Sequence, residues 1–363
     1  MARLSWLPWL GRLAAVGFAV CGCVLLVAGP AAAHVGGSPA ADNFSGAVTS
    51  VDPALPEGIS VEIIEFGNRL RLTNTSNETV SVSGYSAEPY LEIGPDGVRR
   101  NENSPATYLN SSRDGTTPLP ERADPLAAPS WLTVSSESSY EWHDHRTHWM
   151  SALLPSEVRA DPDRSHRVIE WSIPLEIGGD TYQVTGVLDW TPPPAGRLSY
   201  AAVVVLLAVG VFVCWVRRSA RLAVGLLGLG CAGSVWHAGS TPIASTASSS
   251  VVYAVLTISV PTVTVVVLTG LAVRAVRRQT VSAPSGSLPY LVGIAGWLMV
   301  AQALPDLDAL FRSNVSALGP AWAARLAVLL LLGSGAGLAI GSIGMLRARP
   351  KAVPPNSCAA VAA

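Results

Sequence analysis

The chain has 363 residues, 49% of them hydrophobic and 13% charged, with a formal net charge of −1. That balance, with no basic stripe in the polar half, excludes a nucleic-acid partner, which would require many phosphates to be neutralised. The five cysteines are Cys21, Cys23, Cys214, Cys231 and Cys358, so residues 34–197 contain neither a disulfide framework nor a thiolate metal site. The composition then divides the chain: mixed and polar to about residue 198, and mostly Ala, Val, Leu, Gly and Ile from 199 to 346.

Residues 1–33 read as a secretory signal, with Arg3 and Arg12 ahead of or within an apolar run from Leu13 to Val27 and small residues at Ala31-Ala32-Ala33. Cleavage after Ala33 would make His34 the first residue, whose α-amine and imidazole can grip one metal ion together. The position of His34 is similar to the N-terminus of CopC-type copper proteins and of lytic polysaccharide monooxygenases, a resemblance that covers one residue. Lipidation at Cys23, or an uncleaved signal anchor, is the competing reading, and either would remove the free amine of His34.

Residues 34–190 are expected to form an extracytoplasmic all-β domain, an immunoglobulin-like sandwich. Residues 40–58 show little periodicity. Strands are predicted at Ile59–Phe66, Arg69–Asn74 and Val80–Tyr85, with Gly67-Asn68 as a hairpin turn. In the second of these, Leu70 and Leu72 alternate with Arg69, Arg71 and Thr73, which gives one buried and one wet face. Tyr90–Ile93 leads to the turn Gly94-Pro95-Asp96-Gly97. Residues 101–130 carry five prolines and no strand or helix pattern, although Ser104–Asn110 is apolar enough to pack on a sheet. Val168–Glu176 and Thr181–Trp190 form the clearest hairpin, around Gly178-Gly179-Asp180. A stiff proline-rich linker occupies 191–198.

Between these strands lies Glu141-Trp142-His143-Asp144-His145-Arg146-Thr147-His148-Trp149-Met150, which holds three of the six histidines. Three segments, Gly84-Tyr85 with Glu88-Pro89-Tyr90-Leu91, Ser104–Asn110, and Trp142–Arg146 with His148-Trp149-Met150, resemble a family of uncharacterised exported, multi-pass membrane proteins of high-GC Gram-positive bacteria. The resemblance covers most of residues 50–190; it implies the domain boundaries and carries no mechanism.

Five apolar segments follow, at about 199–216, 222–243, 251–273, 287–305 and 322–346, each near the ~20 residues that cross a bilayer. Arg217, Arg218 and Arg221, then Arg274, Arg277 and Arg278, then Arg347, Arg349 and Lys351 follow the odd-numbered segments. The positive-inside rule therefore places 34–197 outside and the tail 347–363 in the cytoplasm of a plasma-membrane protein. His237, Gln302, Asp306 and Asp308 fall near the outer interface, where charge is cheap, and are read as interfacial polar groups. Pro261 is expected to kink the third segment, and Gly333, Gly337 and Gly341 to form a close-packing stripe open to an oligomer partner. No repeated charged pathway or phosphate loop suggests active transport.

His143-x-His145-x-Thr147-His148 has the spacing of the metallo-β-lactamase motif, but Thr147 replaces the carboxylate that is needed as ligand and base, so no enzyme is predicted. Imidazoles without thiolates suit Cu(II) first, with Zn as the alternative. The candidate ligands are His34, His143, His145 and His148. On a regular strand, His143 and His145 share a face and His148 takes the other, so all three converge only if the strand breaks. Asp144 is a candidate to orient an imidazole, and Met150 a weak axial thioether. The reading is a membrane-anchored envelope protein for copper handling or sensing. Its alternative is a metal-free structural or interaction module with an envelope partner.

Overall fold

A computed structural model describes residues 41–242, 248–278 and 286–347. Residues 1–33, read from sequence as a signal, His34 and residues 348–363 lie outside the described residues. The chain divides into two compact units: Ala41–Pro194 with Arg312–Asn314, and a helical unit from Ala195 onward.

The first unit has ten strands: β1 (Phe44–Asp52), β2 (Ile59–Ile64), β3 (Arg69–Asn74), β4 (Val80–Ser83), β5 (Pro89–Gly94), β6 (Gly97–Asn101), β7 (Trp131–Ser135), β8 (Ser139–His143), β9 (His166–Ile177) and β10 (Asp180–Trp190). Two short helices interrupt them, α1 (Pro105–Leu109) and α2 (Ser156–Ala160). One antiparallel sheet runs β1-β10-β9-β4-β5-β6-β7 and the other β2-β3-β8. An immunoglobulin constant domain divides four strands against three; here the division is seven against three.

The alternation read in β3 positions the core. Leu70 and Leu72 are 1% and 0% exposed, and their neighbours Arg69, Arg71 and Thr73 stay half-buried on the other face. Leu70, Leu72 and Trp142 from the small sheet share one cluster with Val80, Val82, Leu91, Ile93, Trp171, Ile173 and Leu175 from the large one. A strand that buries every second residue in this way is fixed in register, because a one-residue slip would drive Arg71 into the core. The β9–β10 hairpin turns on Gly178 and Gly179 alone, with φ of +61° and +93°. Two successive residues in that region are the geometry that matches strand twist in a two-residue hairpin.

Three expectations differ from what is found. The segment read as aperiodic holds β1, whose FSGAVTSVD pairs along β10 with an irregularity between Val48 and Ser50. The region 101–130 contains α1, capped by Ser104, whose side chain accepts the Ala106 N–H at 3.2 Å. The Gly67-Asn68 turn is longer than two residues: Glu65, Phe66 and Gly67 all take positive φ between β2 and β3.

The helical unit contains α3 (Gly196–Trp215), α4 (Ala220–Ser240), α5 (Ser248–Arg277), α6 (Leu288–Ala303), α7 (Ala321–Leu329) and α8 (Gly335–Arg347). A 3-10 turn, Leu304–Leu310, extends α6, and a π-helical segment, Leu330–Ser334, joins α7 to α8. With these joins counted, five helices are long and apolar enough to span a bilayer. Pro261 lies inside the continuous α5. The glycine stripe is a close-packed seam within the chain. A β-carbon at Gly333 would fall 2.6 Å from Leu206 Cβ, one at Gly337 2.6 Å from Leu207 O, and one at Gly341 2.7 Å from Cys214 Cβ. α3 of the same chain therefore packs on this face.

Candidate functional site

β8 stops at His143, and the side chain of Asp144 stops it. Asp144 is fully buried; its Oδ1 accepts the Arg146 backbone N–H at 3.2 Å and Arg146 Nε at 2.7 Å. Its Oδ2 accepts Arg146 Nη2 at 2.6 Å and Trp142 Nε1 at 3.1 Å. A carboxylate that binds the backbone two residues on folds the chain into a turn instead of a strand. Thr147 closes that turn: its backbone N–H donates to Asp144 O at 3.1 Å, and its hydroxyl lies 2.7 Å from Gly67 O and 2.8 Å from Asp144 O. The break brings all three imidazoles together. The His145 and His148 rings are 5.4 Å apart and the His143 and His148 rings 6.4 Å, both edge-on.

The nitrogens differ in what they meet. His143 Nδ1 is 2.9 Å from Asn68 O, and His145 Nε2 is 2.9 Å from Ser112 O. Each of these rings is thus held by a backbone carbonyl through one nitrogen, and the other, Nε2 of His143 and Nδ1 of His145, has no partner among the described residues. On His148, Nε2 lies 2.8 Å from Arg113 O and Nδ1 lies 3.1 Å from Asp144 O, and a neutral ring can donate to one of the two. His148 thus presents each ring nitrogen to a backbone carbonyl, unlike His143 and His145. Among the described residues, no group of three or more His, Cys, Asp or Glu is arranged to hold a metal.

Burial holds His143 and His148 below the ordinary imidazole range, against the pull of their carbonyl hydrogen bonds. The charges of Arg69 near His143 and of Arg113 near His148 act in the same direction as burial. Both rings are therefore neutral at pH 7, the form that donates a lone pair. A neutral ring has one N–H, and the shorter contact assigns it on His148 to Nε2. Arg146 moves upward: burial opposes its charge, but the hydrogen bonds and charge of Asp144 outweigh it.

One neighbour bears on the open nitrogen of His145. Gly115, at φ +66°, leaves a space there: a β-carbon on it would sit 3.3 Å from His145 Nδ1, 2.9 Å from His145 Cε1 and 3.1 Å from Met150 Cε. Met150, proposed from sequence as a thioether, therefore borders the same space through its methyl. Gly115 itself gave no signal in the sequence, because it lies in a loop without periodicity.

The three sequence segments singled out as motifs meet in one polar network. Tyr85 Oη accepts the His145 backbone N–H at 3.0 Å and donates to Asn110 Oδ1, and the Arg146 guanidinium lies 5.2 Å over the Tyr85 ring. Burial pushes the Tyr85 phenol well above its ordinary range, so it remains a donor. The buried Glu88 accepts from Ser104 Oγ at 2.6 Å and from Ser86 N at 2.8 Å, which ties the 84–90 segment to the α1 cap. Glu141, by contrast, is an ordinary pair former, accepting from Arg71 Nε at 2.8 Å and Nη2 at 2.6 Å. His166 lies apart on β9, bonded to Asp161 O at 2.6 Å.

Comparison with protein families, with curated proteins and with solved structures returned no match. The site's chemistry is therefore argued from its own geometry.

Proposed function

We propose that this is a plasma-membrane protein whose exported unit, an enlarged relative of the immunoglobulin-like sandwich, binds one Cu(II) ion for copper handling or sensing. The ligands are His143 Nε2, His145 Nδ1 and, on a chain cleaved after Ala33, the amine and imidazole of His34. One observation carries the reading: two imidazoles on one turn are each anchored through one nitrogen to a carbonyl while the other stays open. That is how metal-binding histidines are commonly oriented, the second nitrogen fixing tautomer and ring direction. Cu(II) heads the affinity series for such nitrogen sites, and Zn is the alternative occupant. The arginine distribution supports export of residues 34–197 and a cytoplasmic C-terminus. Isothermal titration with Cu(II) and with Zn tests the ligand set. His143→Ala and His145→Ala are each expected to weaken Cu(II) binding by at least tenfold. His148→Gln is expected to change it far less, and equal losses from all three would overturn the assignment.

A second reading rests on His148, Thr147 and Asp144, whose bonds fasten the turn to residues 67 and 113. On that reading the unit is a metal-free structural or interaction module of the envelope, and the histidines act as folding clasps. Unfolding of the β unit by His143→Ala, with no copper binding by the unmodified chain, would favour it.

A further inference from the structure

The helical unit places two ionisable side chains against each other at the end where α4 finishes. His237 Nε2 lies 3.2 Å from Asp306 Oδ2, and both side chains are largely covered, at 17% and 27% exposed. His237 is in the last turn of α4, where the helix dipole favours a cation. Asp306 is the residue at which the 3-10 turn departs from helical geometry, with φ −108° and ψ 23°. Beside the pair is a small cavity of about 20 Å³, lined also by Ser240, Thr241 and Ala309. That is room for one water, which needs about 10–15 Å³. One turn deeper, Gln302 Oε1 accepts from Ser234 Oγ at 2.7 Å and from Thr262 Oγ1 at 3.2 Å. Ser234 and His237 are spaced by three residues on α4, and Gln302 and Asp306 by four on the α6 extension, so the two polar pairs form successive rungs across one helix interface. Below them Met299, Leu227 and Val265 are fully buried and apolar, and the buried Ser334 hydroxyl beside Gly230 is turned back to Leu330 O.

Isolated polar residues in a bundle act as glue, but this pair has a further property. With a neutral imidazole the pair carries one net negative charge; with one proton it becomes a neutral ion pair. We propose that His237 and Asp306 form a single-proton site that clasps the end of α4 to the turn after α6 and releases it when the proton leaves. Below the Gln302 layer neither Met299, Leu227, Val265 nor Ser334 is ionisable, so the site is read as a proton sensor. The proton comes from the aqueous side on which α4 ends, onto His237 Nε2, and returns there. The other charged side chains on the elements packed here are Asp308, on the same turn, and Arg325 on α7, whose Nε donates to Ala309 O at 3.1 Å; α5 contributes the uncharged Thr262.

The test uses the full chain in lipid nanodiscs. Wild type, His237→Gln, Asp306→Asn and the double variant are compared by thermal unfolding at pH 5.5 and pH 9.5. The expected result is a coupling between the two positions, read as a non-additive shift in midpoint, that is present at pH 5.5 and lost at pH 9.5. Equal coupling at both pH values would mean a hydrogen bond that does not depend on the proton, and no coupling at either would mean no clasp; each overturns the proposal. A second measurement needs no variant. Hydrogen exchange in the last turn of α4, corrected for the intrinsic rate, is expected to be slower at pH 5.5 than at pH 9.5, and equal protection contradicts it.

Discussion

Asp144→Ala is the most informative single change in the β unit. Asp144 is completely buried and, among the described residues, is the only carboxylate bonded to Arg146, whose side chain is 19% exposed. Removing one partner of such a pair costs about 3–5 kcal/mol, because the other charge is left behind. Trp142 Nε1 also loses its acceptor, a loss of about 1–3 kcal/mol when the group is buried. Arg146 offsets part of this, since it keeps its bond to Ser83 O at 3.2 Å and its place over the Tyr85 ring. The net expectation is a loss of about 3–4 kcal/mol, at the low end of the summed range because the two losses share one site and are not additive. The assay is native-state hydrogen exchange of the full chain, followed at Leu70 and Leu72, which face Trp142 and Tyr140 across the β3–β8 ladder. Their exchange should accelerate by about 10²- to 10³-fold, as about 1.4 kcal/mol corresponds to tenfold. Acceleration below about fivefold would refute the view that this carboxylate organises the turn.

Arg71→Ala is the matched control. Its side chain is 37% exposed in pairing with Glu141, so the loss should stay under about 1 kcal/mol in the same exchange measurement. The pH dependence has a defined sign. His143 and His148 lie below their ordinary value of 6.5 in the folded chain, so above that pH both states are neutral and contribute nothing. As the pH falls through 6.5 the unfolded chain takes up protons that the folded one refuses, and stability drops until the folded values are passed. The urea midpoint of the β unit should therefore fall between pH 7 and pH 5, and His148→Gln should flatten that slope; a flat wild-type profile contradicts the burial argument. Gly337→Ala forces a methyl to within 2.6 Å of Leu207 O and should destabilise the helical unit by about 1–3 kcal/mol, seen as a lower thermal midpoint in detergent. Gly115→Ala should weaken Cu(II) binding at least tenfold by crowding the His145 ring, and the strain of a side chain at φ +66°, about 1–2 kcal/mol, should also speed exchange at Leu70 and Leu72.

Much of the architecture was legible because it rests on local patterns. The alternation Leu70, Leu72 against Arg69, Arg71 survives as the buried and half-buried faces of β3. The Gly178-Gly179 signal gives the tightest hairpin, and the five apolar runs become the five spans to within a few residues. What escaped depends on tertiary context. β1 has Gly46, Ser45, Ser50 and alternating small residues, and becomes a strand only because β10 offers it a ladder. The site was half legible: three histidines within six residues marked the place, and the need for a break in the strand followed from strand geometry. The identity of the breaker did not, since Asp144 was read as an orienter of imidazole and instead holds Arg146 and Trp142. Nor could the sequence assign His148 to the carbonyls of Asp144 and Arg113, because the 111–115 loop that supplies one of them has no pattern to place it.

The central claim is that the turn at residues 143–145 completes a copper site with a free His34. It is tested most directly by electron paramagnetic resonance of the full chain, cleaved after Ala33 and loaded with one equivalent of Cu(II), against the same chain carrying one extra alanine before His34. The account predicts a single type of Cu(II) signal with nitrogen couplings in the first sample, and a weaker-binding, altered signal in the second. Identical spectra and affinities would remove His34 from the site, and failure of the native chain to bind Cu(II) at micromolar concentration would contradict the copper reading outright.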